Sequence, residues 1–578
     1  FAENIRRKLG LDPESVEQIN IDNMDPSMFS LDMFSPDELI NPNGERGVAF
    51  FGFDHTGQEI SGNPDITEFF TARDENDRFT RPVGAFRPIY MAGYFQDQFT
   101  FNDLNFNVGL RIDRFDLNQS VLRDPFILFP SYTVGELSST ELAGAEIPAS
   151  VGQDFAVYVS DFDLGSAEIV GYRTGDQFFN AQGEPISDPG LLANAAGGNI
   201  KPALKPGFQD AADGGATTLP AESFEDYEPQ TVLMPRIAFN FPITDEALFV
   251  AHYDILAQRP GAGQSRLNPF DYLDLLNLSN SGIVANPNLR PQKTIEYELG
   301  FKQALNTETA VKISAFYREM RDLLQVVNFP QAFPITYISY GNRDFGTVKG
   351  FSLEFTRRRQ NNVKMDANYT LQFADGTGSS ATTGLNLARV GQAGLRTLQP
   401  LSFDVRHQFL FRFDYRYKGG AQYDGPVWWN KRIFENAGIN ITANALSGRP
   451  FTRRDRAFPL TSNPSSITQV EGQINGSRLP WQVTFDARIN KVFTIKRTGE
   501  NSKGKAKRDH SFEVYFQILN VLNTDNTTNV FPFTGTPDDD GFLASEAGQS
   551  QIASQVSEQA FRDLYNLRVN NPFNFSLP

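Results

Sequence analysis

The sequence predicts an all-β protein, a transmembrane antiparallel up-and-down β-barrel with long extracellular loops. Three observations support this fold class. Segments that alternate apolar and polar residues recur along the chain with the period of a β-strand. The connections between these segments are alternately short and long. The chain contains 52 Phe and 18 Tyr but no Cys, which suits a protein that crosses an oxidising compartment before it folds.

Composition and charge narrow the functional class. The chain has 578 residues and a mean hydropathy of -0.37. No stretch approaches the ~20 apolar residues of a membrane-spanning helix, but a membrane-spanning strand needs only about 10 alternating residues. The net charge of -17 argues against a nucleic-acid partner, because phosphate binding requires clustered Lys and Arg. No catalytic triad or phosphate-binding loop is recognisable, so we do not expect an enzyme.

The segment 101–113, FNDLNFNVGLRID, shows the alternation most clearly. One side of this strand would carry the apolar residues Leu104, Phe106, Val108, Leu110 and Ile112. The other side would carry Asn105, Asn107, Gly109, Arg111 and Asp113. Periodicity alone does not say whether the apolar side faces a protein core or lipid.

About eleven further segments have the same period, which gives about twelve strands in all, and no helical pattern of comparable strength interrupts them. The first begins near residue 86 and includes Phe95 and Phe99. The apolar sets of the others begin at Ile237, Phe249, Ile295, Val311, Phe351, Val363, Phe409, Ile439, Val483 and Phe512.

The connections fall into two kinds. Short turns are predicted near 102–103, 244–245, 306–307 and 360–361, and long excursions at 119–230, 258–292, 321–344, 375–404, 449–478 and 521–571. Two connections on the short side, 417–437 and 496–510, are longer than the rest. Strict alternation places all the long loops at one end, as in outer-membrane barrels, and closure of the barrel leaves no unpaired strand edge in lipid.

Lipid then decides which face points outward. A charged residue such as Arg111 at the bilayer midplane would cost ~2–4 kcal/mol, so the polar set is predicted to line the lumen. The predicted lumen-facing residues are Asn105, Asn107, Arg111, Asp113, Glu296, Glu298, Lys302, Arg412, Asp414 and Arg416. A soluble propeller would also alternate, but its blades recur at an interval of about 40–50 residues, and the chain shows no such repeat.

Five motifs in order along the chain resemble those of TonB-dependent outer-membrane receptors. NPNLRPQKTIEYELGFKQAL (286–305) is similar to the mid-barrel signature of that family, and AVKISAFYREMRDLLQ (310–325) to the strand that follows it. YGNRDFGTVKGFSLEF (340–355), FDVRHQFLFRFDYRY (403–417) and FEVYFQILNVLNT (512–524) resemble later strands. The segment YMAGYFQDQFTFNDLNFNVGLRIDRFD and the acidic, Phe-rich N-terminal stretch look most like the Oar-like subgroup of Bacteroidota.

The resemblance implies a 22-stranded barrel with a plugged lumen, of which this chain is roughly the C-terminal half. Residues 85–578 would then be the C-terminal part of the barrel, and 1–84 an extracellular loop region with a small hairpin near 47–62. Family members also carry a TonB box, a plug domain and a terminal strand ending in an aromatic residue. None of these is recognisable in the chain, so we expect it to be an internal piece of a longer precursor.

The resemblance also implies a function. A family member binds a ligand at its outer side, and the TonB–ExbB–ExbD complex pulls on the plug to import it across the outer membrane of a Gram-negative bacterium. Partners would be this complex, outer-membrane lipid and a surface lipoprotein. An Oar-like component of protein export or surface assembly is the alternative, and an ungated porin a third. The ligand is not readable, because the fold does not specify the cargo.

A few local features suggest particular roles. Consecutive carboxylates at Asp538, Asp539 and Asp540 are weak candidates for a Ca²⁺ site in an extracellular loop, although a solvated acidic turn explains them more simply. Trp428 and Trp429 are predicted to anchor the barrel at the membrane interface. Segment 557–571 is predicted to be a short amphipathic helix over the barrel mouth, and the basic segment 495–510 a solvated turn. The four His residues are not spaced as metal ligands, and no resident cofactor is expected.

Overall fold

One large β-sheet dominates the computed structural model of the chain. The structure describes residues 1–39, 51–75, 77–213, 218–278, 282–389, 397–459, 469–495, 510–569 and 576–577. Twelve strands of a fourteen-stranded sheet follow one another in chain order, each antiparallel to the next. We number them β1 (Ile89–Phe101), β2 (Leu104–Asp116), β3 (Gln230–Pro242), β4 (Ala247–Gln258), β5 (Gln292–Ala304), β6 (Thr309–Phe329), β7 (Tyr337–Gln360), β8 (Val363–Gly376), β9 (His407–Arg416), β10 (Ala437–Leu446), β11 (Gln482–Ile495) and β12 (His510–Ile518).

The predicted up-and-down β architecture is confirmed, but the sheet is open in the described part of the chain. Within that part, β1 pairs only with β2, and β12 pairs only with β11. A closed barrel would require hydrogen bonds between the two outer strands, and no such pairing occurs among the described residues. The described residues therefore form an open wall of strands rather than a complete barrel.

The alternation predicted from the sequence appears as two different faces of this sheet. In register, Phe106 of β2 lies between Phe99 of β1 and Phe239 of β3, whereas Asn105 lies between Thr100 and Asn240. Apolar side chains on the first face remain uncovered, with Phe95 72% and Leu299 56% exposed. An apolar surface of this extent requires a nonpolar environment.

Connections at one end of the sheet, the short-turn end, are tight as predicted. Residues 102–103, 243–246, 305–308 and 361–362 link successive pairs of strands. Asn102 and Asn361 adopt positive φ angles of 52° and 48°, a left-handed conformation that Asn tolerates better than most residues. The opposite end, the long-loop end, carries the long connections.

The predicted loop 321–344 is wrong in its extent. β6 continues to Phe329 and β7 begins at Tyr337, so only residues 330–336 connect them. The pairing of β6 with β7 shifts register between Met320 and Leu324. This irregularity interrupts the alternation of apolar and polar residues, so the sequence pattern does not predict the continuation of the strand. Beyond this irregularity the two strands rise above their neighbours.

Short elements fill the long connections. The helices are Ala2–Lys8, Ile66–Thr71, Gly190–Ala195, Ala262–Ser265, Pro269–Leu276, Leu385–Arg389, Glu546–Ala553 and Glu558–Val569, with 3₁₀ turns at Pro26–Met28, Leu31–Met33, Asp37–Leu39, Val134–Ser139, Gln209–Asp213, Ala221–Ser223 and Gly420–Gln422. The short strands are Ser120–Leu122, Ala156–Val159, Ile169–Thr174, Gln177–Asn180, Pro185–Ile186, Phe224–Asp226, Ile283–Val284, Gln399–Pro400, Pro450–Phe451, Ser477–Arg478, Asn526–Thr527 and Ser576–Leu577. Among the described helices, none has the length and apolar character needed to cross a membrane.

The largest hydrophobic core lies at the long-loop end, outside the wall of strands. We call this region the head; it comprises the described residues of 117–228, the helices Ile66–Thr71 and Pro269–Leu276, and the tips of β6 and β7 (324–329 and 337–340). Fully buried aromatic residues from separate segments meet in its core: Phe69, Phe70, Tyr158, Phe270, Tyr272 and Tyr337. The sequence did not predict this core, because its members come from segments distant along the chain.

Part of the predicted N-terminal loop region contributes to the head. The capping box of Asp65 and Glu68 begins the helix Ile66–Thr71, which inserts Phe69 and Phe70 into the core. The predicted hairpin near 47–62 is represented by one antiparallel bridge between Phe53 and Glu59, and its first residues lie outside the described part of the chain.

Candidate functional site

The polar face of the sheet holds all ten residues that the sequence analysis assigned to the lumen. The strand register links the positions across the wall: Asn240 lies opposite Asn105 and Val250, and Gly300 lies opposite Val250 and Ser314. The same row continues through positions 352, 370 and 408. The ten predicted residues that lie on this face are Asn105, Asn107, Arg111, Asp113, Glu296, Glu298, Lys302, Arg412, Asp414 and Arg416.

At the long-loop end of β1 and β2, the polar side chains are connected by hydrogen bonds. Arg111 donates to the hydroxyl of Tyr90 at 2.8 Å, and Tyr90 donates to Asp113. The Arg111 Nε lies 2.7 Å from an oxygen of Asp113. Arg259, in the connection that follows β4, stacks over the Tyr90 ring at 4.2 Å. Tyr90 and Arg259 were not predicted, because Tyr90 begins a strand and Arg259 follows one.

Halfway along β4 and β5, charged side chains from three adjacent strands meet. Glu296 and Glu298 of β5 flank His252 of β4, with N···O distances of 4.0 and 3.6 Å. On the other side, Arg318 of β6 lies 2.8 Å from Glu296, and Lys312 lies 3.1 Å from Glu298. The sequence analysis placed the two Glu residues on this face but missed their common partner, His252.

A third polar region lies on β9, near the short-turn end. Asp414 forms an ion pair with Arg359 from the end of β7. Arg412 lies in register with Asp366 on β8 and Thr442 on β10. Charges of both signs therefore alternate across neighbouring strands, which keeps this face hydrophilic without accumulating one sign of charge.

The short strands Ala156–Val159, Ile169–Thr174, Gln177–Asn180 and Pro185–Ile186 pair into a small antiparallel sheet in the head. A cavity of about 740 Å³ lies between this sheet and the tip of β6. Aromatic rings of Phe126, Phe178 and Phe329 form one part of its lining. Amide and hydroxyl side chains form another part of the lining: Gln177, Ser187, Gln325, Asn328, Gln331 and Thr336. An ion pair between Asp176 and Arg343 also lies in the lining. This volume lies in the range of small-molecule sites, and the lining suits a polar, uncharged ligand with apolar faces.

A buried arginine stabilises the wall of this cavity. The guanidinium of Arg173 donates to the Tyr158 hydroxyl at 2.9 Å and forms an ion pair with Asp124. It also stacks over Phe126 at 4.7 Å. Burial raises the pKa of Tyr158 to about 12, so this phenol remains neutral at physiological pH. Because Phe126 lines the cavity, the contacts of Arg173 hold this aromatic part of the cavity lining in place.

The comparison with known families decides what kind of wall this is. A family model described as TonB dependent receptor-like, beta-barrel, matches residues 19–521. The chain belongs to this family. TonB-dependent receptors are outer-membrane proteins that act as transporters and receptors and work with the TonB energising system. No curated protein matches the chain.

Several solved structures of outer-membrane transporters are similar to the chain. They include the ferric-catecholate import receptor Fiu from K12 E. coli (10% identity, 78% of this chain and 44% of that chain, TM-score 0.35). The outer membrane transporter YddB from Escherichia coli aligns at 11% identity over 80% of this chain and 55% of its own, with a TM-score of 0.36. The copper transporter OprC aligns at 10% identity over 76% and 43%, with a TM-score of 0.34. The chain spans about half the length of these proteins, and its membership of the Oar-like subgroup stays a prediction.

Tryptophan residues lie at both ends of the wall of this family member. Trp428 and Trp429 are exposed in the β9–β10 connection at the short-turn end, where Trp428 packs edge-on against Phe434 at 5.6 Å. At the long-loop end Trp481 stacks on His407 at 5.8 Å, and His407 stacks on Tyr369. The stacking of His407 with Trp481 was not predicted, because the two residues are distant along the chain. Two aromatic clusters at opposite ends are typical of the interfacial girdles of membrane barrels.

The three candidate calcium ligands do not converge in the structure. Asp538 and Asp539 are exposed, whereas Asp540 is buried and accepts hydrogen bonds from the Tyr565 hydroxyl at 2.5 Å and the Phe542 amide at 3.0 Å. In the described residues these carboxylates do not form a group with the geometry of a metal site. The calcium site stays a prediction.

The predicted amphipathic helix occurs as Glu558–Val569. Phe561 and Tyr565 pack towards the preceding loop, with the Tyr565 and Phe542 rings 5.4 Å apart, whereas Leu564 and Leu567 are exposed. The hydrogen bond from the Tyr565 hydroxyl to Asp540 links this helix to the acidic turn. The basic turn predicted at 495–510 lies almost entirely outside the described residues.

Proposed function

We propose that this chain forms the wall and outer recognition surface of a TonB-dependent transporter that imports a ligand across the outer membrane. The observation that carries the proposal is that the twelve strands of the wall have one uncovered apolar face and one continuous polar face, with a folded head at the long-loop end. In the proposed arrangement lipid covers the apolar face, and the polar face lines the path of the ligand.

The head cavity is the proposed site of ligand recognition. Three phenylalanine rings offer flat apolar surfaces, and the amides of Gln177, Gln325 and Asn328 offer both donors and acceptors. A neutral polar ligand, such as an oligosaccharide or a peptide backbone, satisfies both kinds of surface. The ion pair of Asp176 and Arg343 joins the two sides of the cavity. Separation of this ion pair would couple ligand entry to movement of the head.

The proposed energy source is the TonB–ExbB–ExbD complex, which would act through a plug domain inside the complete barrel. The polar side chains of β2, β5 and β9 would form the surface against which the plug rests. In this proposal the chain contributes binding and passage, and supplies no covalent chemistry. A surface lipoprotein covering the head would be a further partner.

Deletion of the gene in its native bacterium tests the import function. We expect loss of growth on one class of nutrient, restored by the intact gene, and uptake that stops when a protonophore dissipates the proton gradient. A variant with Gln177 and Asn328 replaced by Ala should retain its level in the outer membrane but reduce uptake, because both side chains line the cavity and neither belongs to the hydrophobic core of the head. Uptake that is unaffected by deletion would contradict the proposal.

Export or surface assembly is the alternative function, and the size of the head favours it. The head has two hydrophobic clusters of its own, so it is a folded unit that could present a surface to a protein partner. Comparison of secreted proteins between the deletion strain and its parent separates the two functions. Import predicts an unchanged set of secreted proteins, whereas export predicts the loss of specific ones.

A further inference from the structure

One group of side chains on the polar face has the chemistry of a metal site. The nitrogen of His252 and one carboxylate oxygen from each of Glu296 and Glu298 lie within 4.8 Å of one another. In the described part of the chain this is the only such group of three. We propose that it binds a divalent transition-metal ion in the wall of the sheet, halfway between its two ends.

The backbone register brings these ligands together. His252 lies directly opposite Glu298 in the antiparallel pair of β4 and β5, and Glu296 is the diagonal neighbour on the same face. Side chains on a paired sheet are held more rigidly than those on loops, which favours a preorganised set of ligands. The side chains are 30%, 15% and 21% exposed, so an ion can reach them from the polar face while remaining partly shielded from water.

The distances suit an ion placed between the side chains. Transition metals lie about 2.0–2.2 Å from imidazole nitrogen and carboxylate oxygen, which puts two ligand atoms on one ion roughly 3–3.5 Å apart. The Nδ1 of His252 is 3.6 Å from Glu298, and its Nε2 is 4.0 Å from Glu296. With one ligand atom taken from each residue, all three atoms lie within 4.8 Å of one another, so rotation of the Glu side chains would bring one oxygen from each onto an ion held by a single imidazole nitrogen.

The ligand types identify the class of ion. An imidazole together with two carboxylates suits Zn²⁺, Cu²⁺, Ni²⁺ or Fe²⁺, whereas Ca²⁺ and Mg²⁺ prefer oxygen ligands alone. Three protein ligands also leave a coordination position open for water or for a group on a passing solute. The site would therefore be exchangeable rather than purely structural.

Neighbouring cations set the strength of binding. Lys312 lies 3.1 Å from Glu298, and Arg318 lies 2.8 Å from Glu296. The negative charge of each carboxylate is therefore already paired with a positive charge before a metal ion binds. These cations orient the carboxylates, but they also repel an incoming divalent ion. We therefore expect reversible binding that becomes tighter when one of these cations is removed.

Titration of the purified full chain in detergent micelles, with an affinity tag that contains no histidine, tests the proposal. With Zn²⁺ or Cu²⁺ as probe, we expect one ion per chain by isothermal titration calorimetry. Electron paramagnetic resonance of the Cu²⁺ complex should show coupling to imidazole nitrogen. Absence of saturable binding by the unmodified chain would overturn the proposal.

Three variants separate a metal site from an ion-pair network. Loss of a residue that only hydrogen-bonds to a metal ligand weakens metal binding roughly 10–100-fold. His252→Ala removes a ligand itself, so it should weaken binding by more than this and should remove the coupling of Cu²⁺ to imidazole nitrogen. His407→Ala is the matched control, because His407 lies among aromatic rings on the other face, and it should bind as the unmodified chain does. Lys312→Met should tighten binding roughly five-fold, since it removes a like charge a few Å from the ion. Binding that survives in His252→Ala, or is unchanged in Lys312→Met, would contradict the assignment.

The metal site does not depend on the proposed import function. Its binding is measured on the purified chain, without transport. A failure of import in cells would leave the titration unaffected, and a failure of the titration would leave import unaffected.

Discussion

The wall and the head of this protein place the same kinds of side chain in opposite environments. In the wall, Phe95 and Leu299 point out of the sheet and remain uncovered, and the charged residues lie together on the other face. In the head, Phe69 and Tyr272 are fully buried among other apolar side chains. An apolar side chain is therefore uncovered in the wall, on the face that we propose meets lipid, and packed against other side chains in the head.

The largest expected effect comes from removing a ring in the head core. Phe69→Ala should destabilise the head by about 3–5 kcal/mol, because the ring packs edge-on against Phe70 and Phe270 with centroids 5.0 and 4.9 Å away. Limited proteolysis of the protein in detergent should then cleave within 117–228. Phe95→Ala in the wall is the control and should leave the head resistant. Equal sensitivity of both variants would mean that the two regions do not differ as described.

Introducing an Arg on one face or the other of β10 tests the assignment of the two faces of the wall. Ile441→Arg should destabilise the protein by ~2–4 kcal/mol in lipid, because the residue lies on the apolar face near the middle of β10. The adjacent Asn440→Arg should be tolerated, since Asn440 lies opposite Asp414 on the polar face. Unfolding in lipid vesicles, followed by the gel mobility of unheated samples, measures both. A greater loss of stability for Asn440→Arg would reverse the assignment of the faces.

A smaller effect is expected where the wall joins the head. Tyr337 at the start of β7 donates to the carbonyl oxygen of Pro125 at 2.6 Å. Tyr337→Phe should cost about 1 kcal/mol and leave the ring packing intact. Proteolysis of the head should become slightly faster, while the strands of the wall remain protected from hydrogen exchange. No change in head proteolysis would show that this hydrogen bond does not stabilise the junction.

The smallest effect is a pH dependence confined to the head. Partial burial acts to raise the pKa of Glu136, but hydrogen bonds from Lys205 and from the Thr133 amide outweigh it, so the pKa of this carboxyl is lowered. A carboxyl with a lowered pKa stabilises the folded head above its unfolded pKa, and that stability is lost as the pH falls through the folded pKa. Glu136→Gln should therefore reduce the sensitivity of head proteolysis to acid. An unchanged acid profile would exclude this contribution.

The wall could be predicted from the sequence because its interactions are local and periodic. In a strand, neighbouring side chains point to opposite faces, so the two environments of β2 appear directly as alternating residues. The turn at Asn102 was visible for the same reason. Where a register shift interrupts β6 near Leu323, the alternation is lost, and the extended strand was interpreted as a loop.

The candidate sites were predicted only in part. Glu296 and Glu298 were assigned to the polar face from their spacing, but the contact with His252 depends on how β4 and β5 align. A shift of one residue in that pairing would move His252 to the other face. The cavity in the head could not be predicted from the sequence, where only the length of the excursion 119–230 was visible. Its lining residues Phe126, Gln177 and Gln325 come from three segments that are separate in the chain.

By itself, the sequence determined the strand content, the alternation of the two faces and the family, since each is encoded by neighbouring residues or by short motifs. The tertiary structure decided the open edge of the sheet, the buried core of the head, its cavity and the cluster around His252. These features depend on contacts between residues far apart in the chain. Such contacts leave no periodic pattern, because each is set by the packing of whole elements.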